Sequence, residues 1–290
     1  MSISASMVKE LRERTGAGMM ECKKALVETD GNTDAAVELL RKSGQAKADK
    51  KSGRVAADGR VVIKTDALKA AVLEINSETD FVAKDDNFIA YAEAVADCVL
   101  GSDAADVEAL SSSVLADGRT VEAARTDLVT KVGENISVRR FARLEAAEHL
   151  GSYTHGARIG AAVSLKGGSD ELARDVAMHV AASNPVCVNE DGVPAETLER
   201  ERRIFKEQAA ASGKPAEIVE KMVTGRVAKF LKEITLLGQP FVKDPDTTIG
   251  QLLDAAGAEV TGFVRYEVGE GIAKKQENFV EEVMSQVRQG

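Results

Sequence analysis

The residues able to do covalent or metal chemistry are few and badly spaced for it. His149, His155 and His179 show no HExxH spacing, and no GxSxG precedes a helix. Cys22, Cys98 and Cys187 are odd in number, far apart and in no CxxC pair, which reads as reduced thiols with neither a disulfide framework nor a structural zinc site. Gly213-Lys214 lacks the glycine five residues upstream that a phosphate-cradling loop needs, and Gly269-Glu270-Gly271 lacks the third glycine of a dinucleotide loop. No metal, cofactor or directly bound nucleotide is therefore expected. With 47 Asp and Glu in the chain, chance carboxylate pairs are inevitable and carry no weight. His179, within AMHVAAS, reads as a core or subdomain-interface residue.

What remains are residues suited to binding another protein. Aromatics make up 4% of the chain, with no Trp, yet Phe81-Val82 sits in an acidic and polar stretch, Asn76 to Asn87, between a strand and a helix. An apolar pair in a loop needs a partner. Either Phe81 folds back onto its own core, or it is a hydrophobic wedge for another protein with Asp80 beside it as a charged probe. Met19 and Met20 form a second candidate surface: two consecutive methionines cannot both face the core of a thin helical module, so one is exposed, unless it is partly covered by the neighbouring helix.

The elements that must position these residues follow from periodicity. Ser4 or Ser6 can cap a first helix bearing Met7, Val8 and Leu11, which stops at Thr15-Gly16-Ala17-Gly18. A second helix, Met19 to Thr29, places Cys22, Ala25 and Leu26 on one face; a third, capped by Asn32 or Thr33, directs Ala36, Val37 and Leu40 inward and ends at Gly44. Lys47 to Arg54, polar and basic, has the composition of an exposed linker, a nucleic-acid contact being the sharper alternative. An apparent duplication follows. Arg60–Lys64 and Ala70–Asn76 read as a hairpin followed by a helix, Phe88–Leu100, and Gly151–Tyr153 with Arg158–Leu165 repeats the hairpin before a helix over Glu171–Ala182. Ile136–Leu144 and Val260–Val268 supply one further strand each, and Val121, Ala124, Leu128 and Val132 mark a helix between the halves. Glu196 to Lys232 is charged and helical, broken at Ser212-Gly213-Lys214-Pro215, with a narrow apolar seam that suits a projecting antiparallel helical hairpin. Ala273–Arg288 predicts a terminal amphipathic helix.

The expected fold is thus α+β. A three-helix N-terminal module (1–46) and a linker (47–55) precede a first core subdomain (56–145). A second core subdomain (146–194 and 233–268) is interrupted by the helical hairpin (195–232), and a C-terminal helical module (269–290) closes the chain. Each core half would contain a three-stranded antiparallel sheet. The 290 residues carry 38 Lys and Arg against 47 Asp and Glu, a net charge of −9, which argues against nucleic acid as the main partner. The N-terminal residues form no apolar leader, and no run approaches the roughly 18 apolar residues of a membrane span, so a cytoplasmic location is expected.

Across almost its whole length the sequence resembles bacterial elongation factor Ts, the guanine-nucleotide exchange factor for elongation factor Tu. The resemblance is carried by VKELRERTGAGMMECKKAL at 8–26, AADGRVVIK at 56–64, INSETDFVAKDDNF at 75–88, GSYTHGARIG at 151–160 and AMHVAAS at 177–183, then by GQPFV and EVTGFVRYEVGEGI. Residues 102–120 and the first arm of the hairpin contain no such motif. The resemblance implies an exchange factor without covalent catalysis. Its N-terminal module is ubiquitin-associated-like, and the tip of that module, here Arg12, Met19 and Met20, contacts the partner's nucleotide-binding domain. It implies further that Thr79, Asp80, Phe81 and Val82 insert near the partner's magnesium and phosphate site, with Phe81 as the wedge. The surface around His155 would hold another domain of the partner, the hairpin would be a coiled coil, and the C-terminal helix would return to the nucleotide domain. Whether the core or hairpin also makes a homodimer stays open.

Overall fold

In the computed structural model, which describes residues 3–210 and 215–273, three helices form the N-terminal module. Helix α1 (Ala5–Thr15) is capped by the Ser4 hydroxyl and stopped by Gly16 in the left-handed region at φ 68°, where a side chain would be strained. Helix α2 spans Met19–Glu28 and α3 spans Thr33–Lys51, the latter capped by Asn32. Leu11, Cys22, Leu26 and Ala36 close a small core between them.

The end of α3 departs from the sequence reading. The helix neither stops at Gly44 nor gives way to an exposed linker at Lys47; it runs on to Lys51, with Gly44 and Ala48 both buried. The two small residues lie four apart, on one face, and let α3 lie close against a later helix: a Cβ on Gly44 would stand 3.1 Å from Thr130 Oγ1. Ala48 joins the first core. This contact outweighs the helix-breaking tendency of glycine.

The first core half is built from β1 (Asp58–Asp66), β2 (Lys69–Ser77), α4 (Asp80–Ala83), α5 (Asp86–Gly101), α6 (Val107–Ser111), α7 (Val121–Val132) and β3 (Ile136–Glu145). Its sheet has the order β1-β2-β3, all antiparallel, with Leu73 of central β2 opposite Val62 on one side and Phe141 on the other. Ala71, Leu73 and Ile75 face α5 and α7, while Ala70 and Val72 face the other way and are equally buried. The second half repeats the plan with β4 (His149–His155), β5 (Ile159–Lys166), α8 (Asp170–Ser183) and, much later, β8 (Glu259–Glu267), in the order β4-β5-β8. Gly151 of β4 lies directly under α8, since a Cβ there would fall 2.1 Å from the carbonyl carbon and oxygen of Ala173.

The second half is interrupted by α9 (Ala195–Ala210) and α10 (Ala216–Ile234), which pack on each other with Phe205 edge-on to Phe230, ring centroids 6.3 Å apart. Only Ala209, Val227 and Leu231 along the pair are buried, as a narrow seam requires. In this half the two-stranded ribbon of β6 (Pro240–Phe241) and β7 (Asp244–Thr248), and α11 (Ile249–Ala256), were not read from the sequence, as the short helices α4 and α6 were not in the first. They cover the second core through Phe241, Ile249 and Leu253. The expected terminal helix from Ala273 onward lies outside the described residues.

The two sheets meet back to back. Val61, Ala70 and Val72 of the first half pack with Ala162 and Val268 of the second, and a backbone bond crosses the join, Val61 N–H to Ala157 O at 2.8 Å. On this inner face lies one fully buried carboxylate, Glu74. It accepts from Arg139 Nη1 (2.9 Å), Asn76 Nδ2 (3.2 Å), the Gly269 N–H (2.8 Å) and Arg140 Nε (2.6 Å). Arg140 in turn lies over the Tyr266 ring, 4.2 Å from its centroid. Burial opposes ionisation of Glu74, but the bonds from Gly269, Arg139 and Arg140 outweigh it and hold the carboxyl below the usual glutamate range.

A depressed value in the folded state means that the stabilisation is complete above the unfolded glutamate value and disappears as pH falls through the folded one. Glu74→Gln should cost about 2–4 kcal/mol at pH 7, because Arg139 loses its counter-charge and Arg140 keeps only Glu270. In urea titrations the difference from the unmutated chain should stay constant from pH 7 down to the ordinary glutamate range and shrink only below it, as the pH falls toward the depressed folded value; a difference that does not change anywhere in the acid range would contradict the assignment.

Candidate functional site

The segment after β2 is held by its neighbours on both sides. Thr79 caps α4, its Oγ1 accepting from Val82 N–H at 3.4 Å, while Ser77 Oγ donates to Thr79 O at 2.9 Å. Thr79 also makes two bonds to one carboxylate: its N–H donates to Glu134 Oε2 (3.0 Å) and its Oγ1 to Glu134 Oε1 (2.6 Å). One residue earlier, Glu78 Oε1 accepts from Asn135 N–H at 2.6 Å. On the far side Arg60 Nη1 donates to Ala83 O at 3.2 Å, and Asp85 caps α5 through the N–H groups of Asn87 and Phe88.

On this platform the four predicted site residues have different fates. Val82 turns inward and joins the first core, with only 9% of its surface exposed. Phe81 points the other way and is 81% exposed, so it does not fold back onto its own core. A one-turn helix separates the two neighbours by about 100° per residue, enough to send one to the core and the other to solvent. Asp80, also outward, pairs with Lys84 Nζ at 2.6 Å, and that hydrogen bond keeps its carboxyl below the usual aspartate range. Thr79 is a cap, with its hydroxyl engaged inside the fold.

At the N-terminal module both methionines are exposed, Met19 by 59% and Met20 by 73%, where the sequence reading expected one. They open α2 on its outer side, since Cys22, Ala25 and Leu26 already fill the inner face. Exposed Val27, about two turns beyond Met20, extends the apolar strip, with Lys23 and Lys24 on its border. Arg12 is exposed near the end of α1. His155 closes β4, exposed and stacked at 6.4 Å on Tyr153, whose hydroxyl lies 3.3 Å from His155 Nδ1. His179 is fully buried, as the sequence predicts. Its Nε2 lies 3.0 Å from Gln239 Oε1 and its Nδ1 accepts from Val242 N–H at 3.3 Å. Desolvation pushes it below the usual histidine value, with the Gln239 bond opposing.

None of these residues assembles a reaction centre. Among the described residues no group of three or more His, Cys, Asp or Glu is placed to hold a metal ion, and no helix is long and apolar enough to cross a membrane. What the site offers is shape: one aromatic ring on a rigid acidic corner and an apolar strip with basic edges on a separate module.

The family described as Elongation factor TS matches residues 78–270, well over half of the chain. The chain is 64% identical over 292 residues to elongation factor Ts of Thioalkalivibrio sulfidiphilus and 60% identical over 291 residues to that of Methylococcus capsulatus, with 99% of both chains covered in each case. The protein of the same name from Legionella pneumophila is 58% identical over 289 residues. The chain belongs to the elongation factor Ts family. The part matched by the elongation factor Ts description contains Thr79 to Val82 and His155, while Arg12, Met19 and Met20 fall within the near full-length alignments.

Sequence reasoning missed Glu134 and Asn135, although a signal existed. Ser77 of β2 is paired with Ile136 of β3, so the residues just beyond Ser77 must lie opposite those just before Ile136. Pairing the two strands on paper would have set Glu134 and Asn135 against Glu78 and Thr79.

The split between neighbours is testable by stability alone. Val82→Ala should cost about 1–3 kcal/mol by removing buried methyl groups, whereas Phe81→Ala should change stability by no more than about 0.5 kcal/mol. Equal losses in urea denaturation of the two variants would mean that the ring, too, is packed against the protein.

Proposed function

We propose that this chain is a translation elongation factor that binds elongation factor Tu in its GDP-bound and nucleotide-free states. It accelerates release of GDP, so that GTP can rebind. The observation that carries the reading is Phe81: a large apolar side chain held 81% exposed by hydrogen bonds beneath it, in a member of the elongation factor Ts family. Leaving a phenylalanine in water forgoes about 1.5–3 kcal/mol of burial, a cost that contact with a partner recovers.

In this reading Phe81 and Asp80 enter beside the partner's magnesium and phosphate site, while Thr79 and Val82 hold the segment in shape from inside. The ion neutralises charge between phosphate oxygens and its protein ligands, so disturbing its surroundings loosens the diphosphate. No bond to nucleotide is made or broken by the factor, and no group on it need titrate. The coupling is mutual: the factor weakens GDP binding by the same free energy by which GDP weakens the factor, and incoming GTP expels it. The exchange rate changes and the equilibrium between the two nucleotide forms does not. Met19, Met20 and Arg12 on the module, and His155 on the second core half, supply binding at a distance from the wedge. The factor works in the cytoplasm, with translation.

Release of a fluorescent GDP from elongation factor Tu measures this directly. Phe81→Ala should slow factor-stimulated release by about tenfold or more, the effect expected of an interface anchor, with circular dichroism unchanged. Met19→Ala combined with Met20→Ala should instead raise the factor concentration needed for half-maximal stimulation, by about three- to tenfold. If Phe81→Ala stimulated release at the unmutated rate, the wedge assignment would fall; stable complex formation with no change in release by the unmutated chain would identify an adaptor instead.

A further inference from the structure

We propose that Glu134 and Asn135, in the turn between α7 and β3, are positioning residues for the Phe81 corner, and that this turn also fixes where the N-terminal module stands relative to it. The inference rests on the reading of Phe81 as the exchange wedge.

Glu134 uses both carboxylate oxygens on a single residue, Thr79, taking its backbone N–H and its hydroxyl. With its proton given to Glu134, the Thr79 hydroxyl has its lone pairs free to accept from Val82 N–H, which fixes the start of α4 and hence the direction of Phe81. Asn135 is 5% exposed and faces two segments at once. Its N–H holds Glu78, and its Nδ2 donates to Ser52 O (3.3 Å) and Arg54 O (2.8 Å), in the connection leading from α3 into the core. Arg54 Nη1 reaches Glu78 at 3.5 Å and closes the circuit. The preceding helix α7 carries the other attachment of the module, where Gly44 meets Thr130 and Thr126 Oγ1 donates to Gln45 Oε1 at 3.2 Å. One helix and the turn after it therefore hold both proposed contact surfaces, the module bearing Met19 and Met20 and the corner bearing Phe81. Gly133, at φ 85°, lets the chain leave α7 at the angle that brings Glu134 to Thr79.

A positioning role predicts a loss in the maximal rate and little change in binding, because a ring misplaced by about 1 Å still touches the partner but no longer acts at the right place. The test is GDP release from elongation factor Tu over a range of factor concentrations, giving a maximal rate and a half-maximal concentration. Glu134→Ala should lower the maximal rate by about five- to thirtyfold while the half-maximal concentration stays within about threefold. Thr79→Val, which removes the hydroxyl that donates to Glu134 and accepts from Val82 while leaving the backbone N–H bond, should reproduce the loss. Thr79→Ser, which keeps both, should restore it to near the unmutated rate. Thermal unfolding of each variant establishes folding, and if Glu134→Ala fails to fold, the Thr79 pair decides. An unmutated maximal rate in Glu134→Ala or Thr79→Val, with Phe81→Ala impaired, overturns the proposal alone. Parallel shifts in both parameters overturn it in favour of a general structural role. Normal exchange by Phe81→Ala overturns the wedge reading on which the proposal stands.

Discussion

A single buried carboxylate organises the joint between the two core halves. Glu74 sits on the inner face of β2, where a lone charge would cost several kcal/mol, and is tolerated because four donors from β2, β3 and the chain just after β8 converge on it. Those donors must be in place together, so the carboxylate selects one relative placement of the two sheets. Gly269 shows how tight the arrangement is: at φ 74°, with space for a Cβ closed by Ala57 O at 2.2 Å, it brings its N–H to Glu74 where another residue would collide. The irregularity in the β2–β3 pairing falls at Glu74 and Ile75, between residues that serve the joint and those that lead to Thr79.

Downstream of that joint the protein spends its rigidity on display. β2 delivers Thr79 to the turn after α7, Val82 is sunk in the core, and Phe81 is left in water with little freedom to collapse. Preorganisation of this kind suits a protein whose proposed task is to alter another protein's hold on a nucleotide, because a flexible ring would lose ordering entropy on every encounter.

Much of this was legible in the sequence. Strands at Arg60–Lys64, Ala70–Asn76, Ile136–Leu144 and Val260–Val268 show apolar periodicity, and all lie within observed strands or extend past them by a residue. His179 was readable as a core residue because it sits among small apolar neighbours at helical spacing. Ser4, Asn32 and Gly16 announced helix ends through side chains and conformations that act locally. The ribbon β6–β7 and helix α11 were missed, since their segments are short and make sense only as a cover for a core built elsewhere. Gly44 misled because its local preference to end a helix is outweighed by a contact with α7, some eighty residues away along the chain.

The sequence by itself determined most of the inventory: the long helices and the strands of the two core sheets, that the chain carries an α+β duplication, that no catalytic motif is present, and that Phe81 and the methionine pair were worth suspicion. Those properties depend on period, local capping and motif spacing, which act within a few residues. Tertiary structure alone decided that Phe81 faces solvent while Val82 faces the core, that both Met19 and Met20 are exposed, that Glu74 is satisfied and that Glu134 grips Thr79. Each of these depends on which distant backbone arrives alongside, and burial, desolvation and hydrogen-bond geometry are settled only when it does.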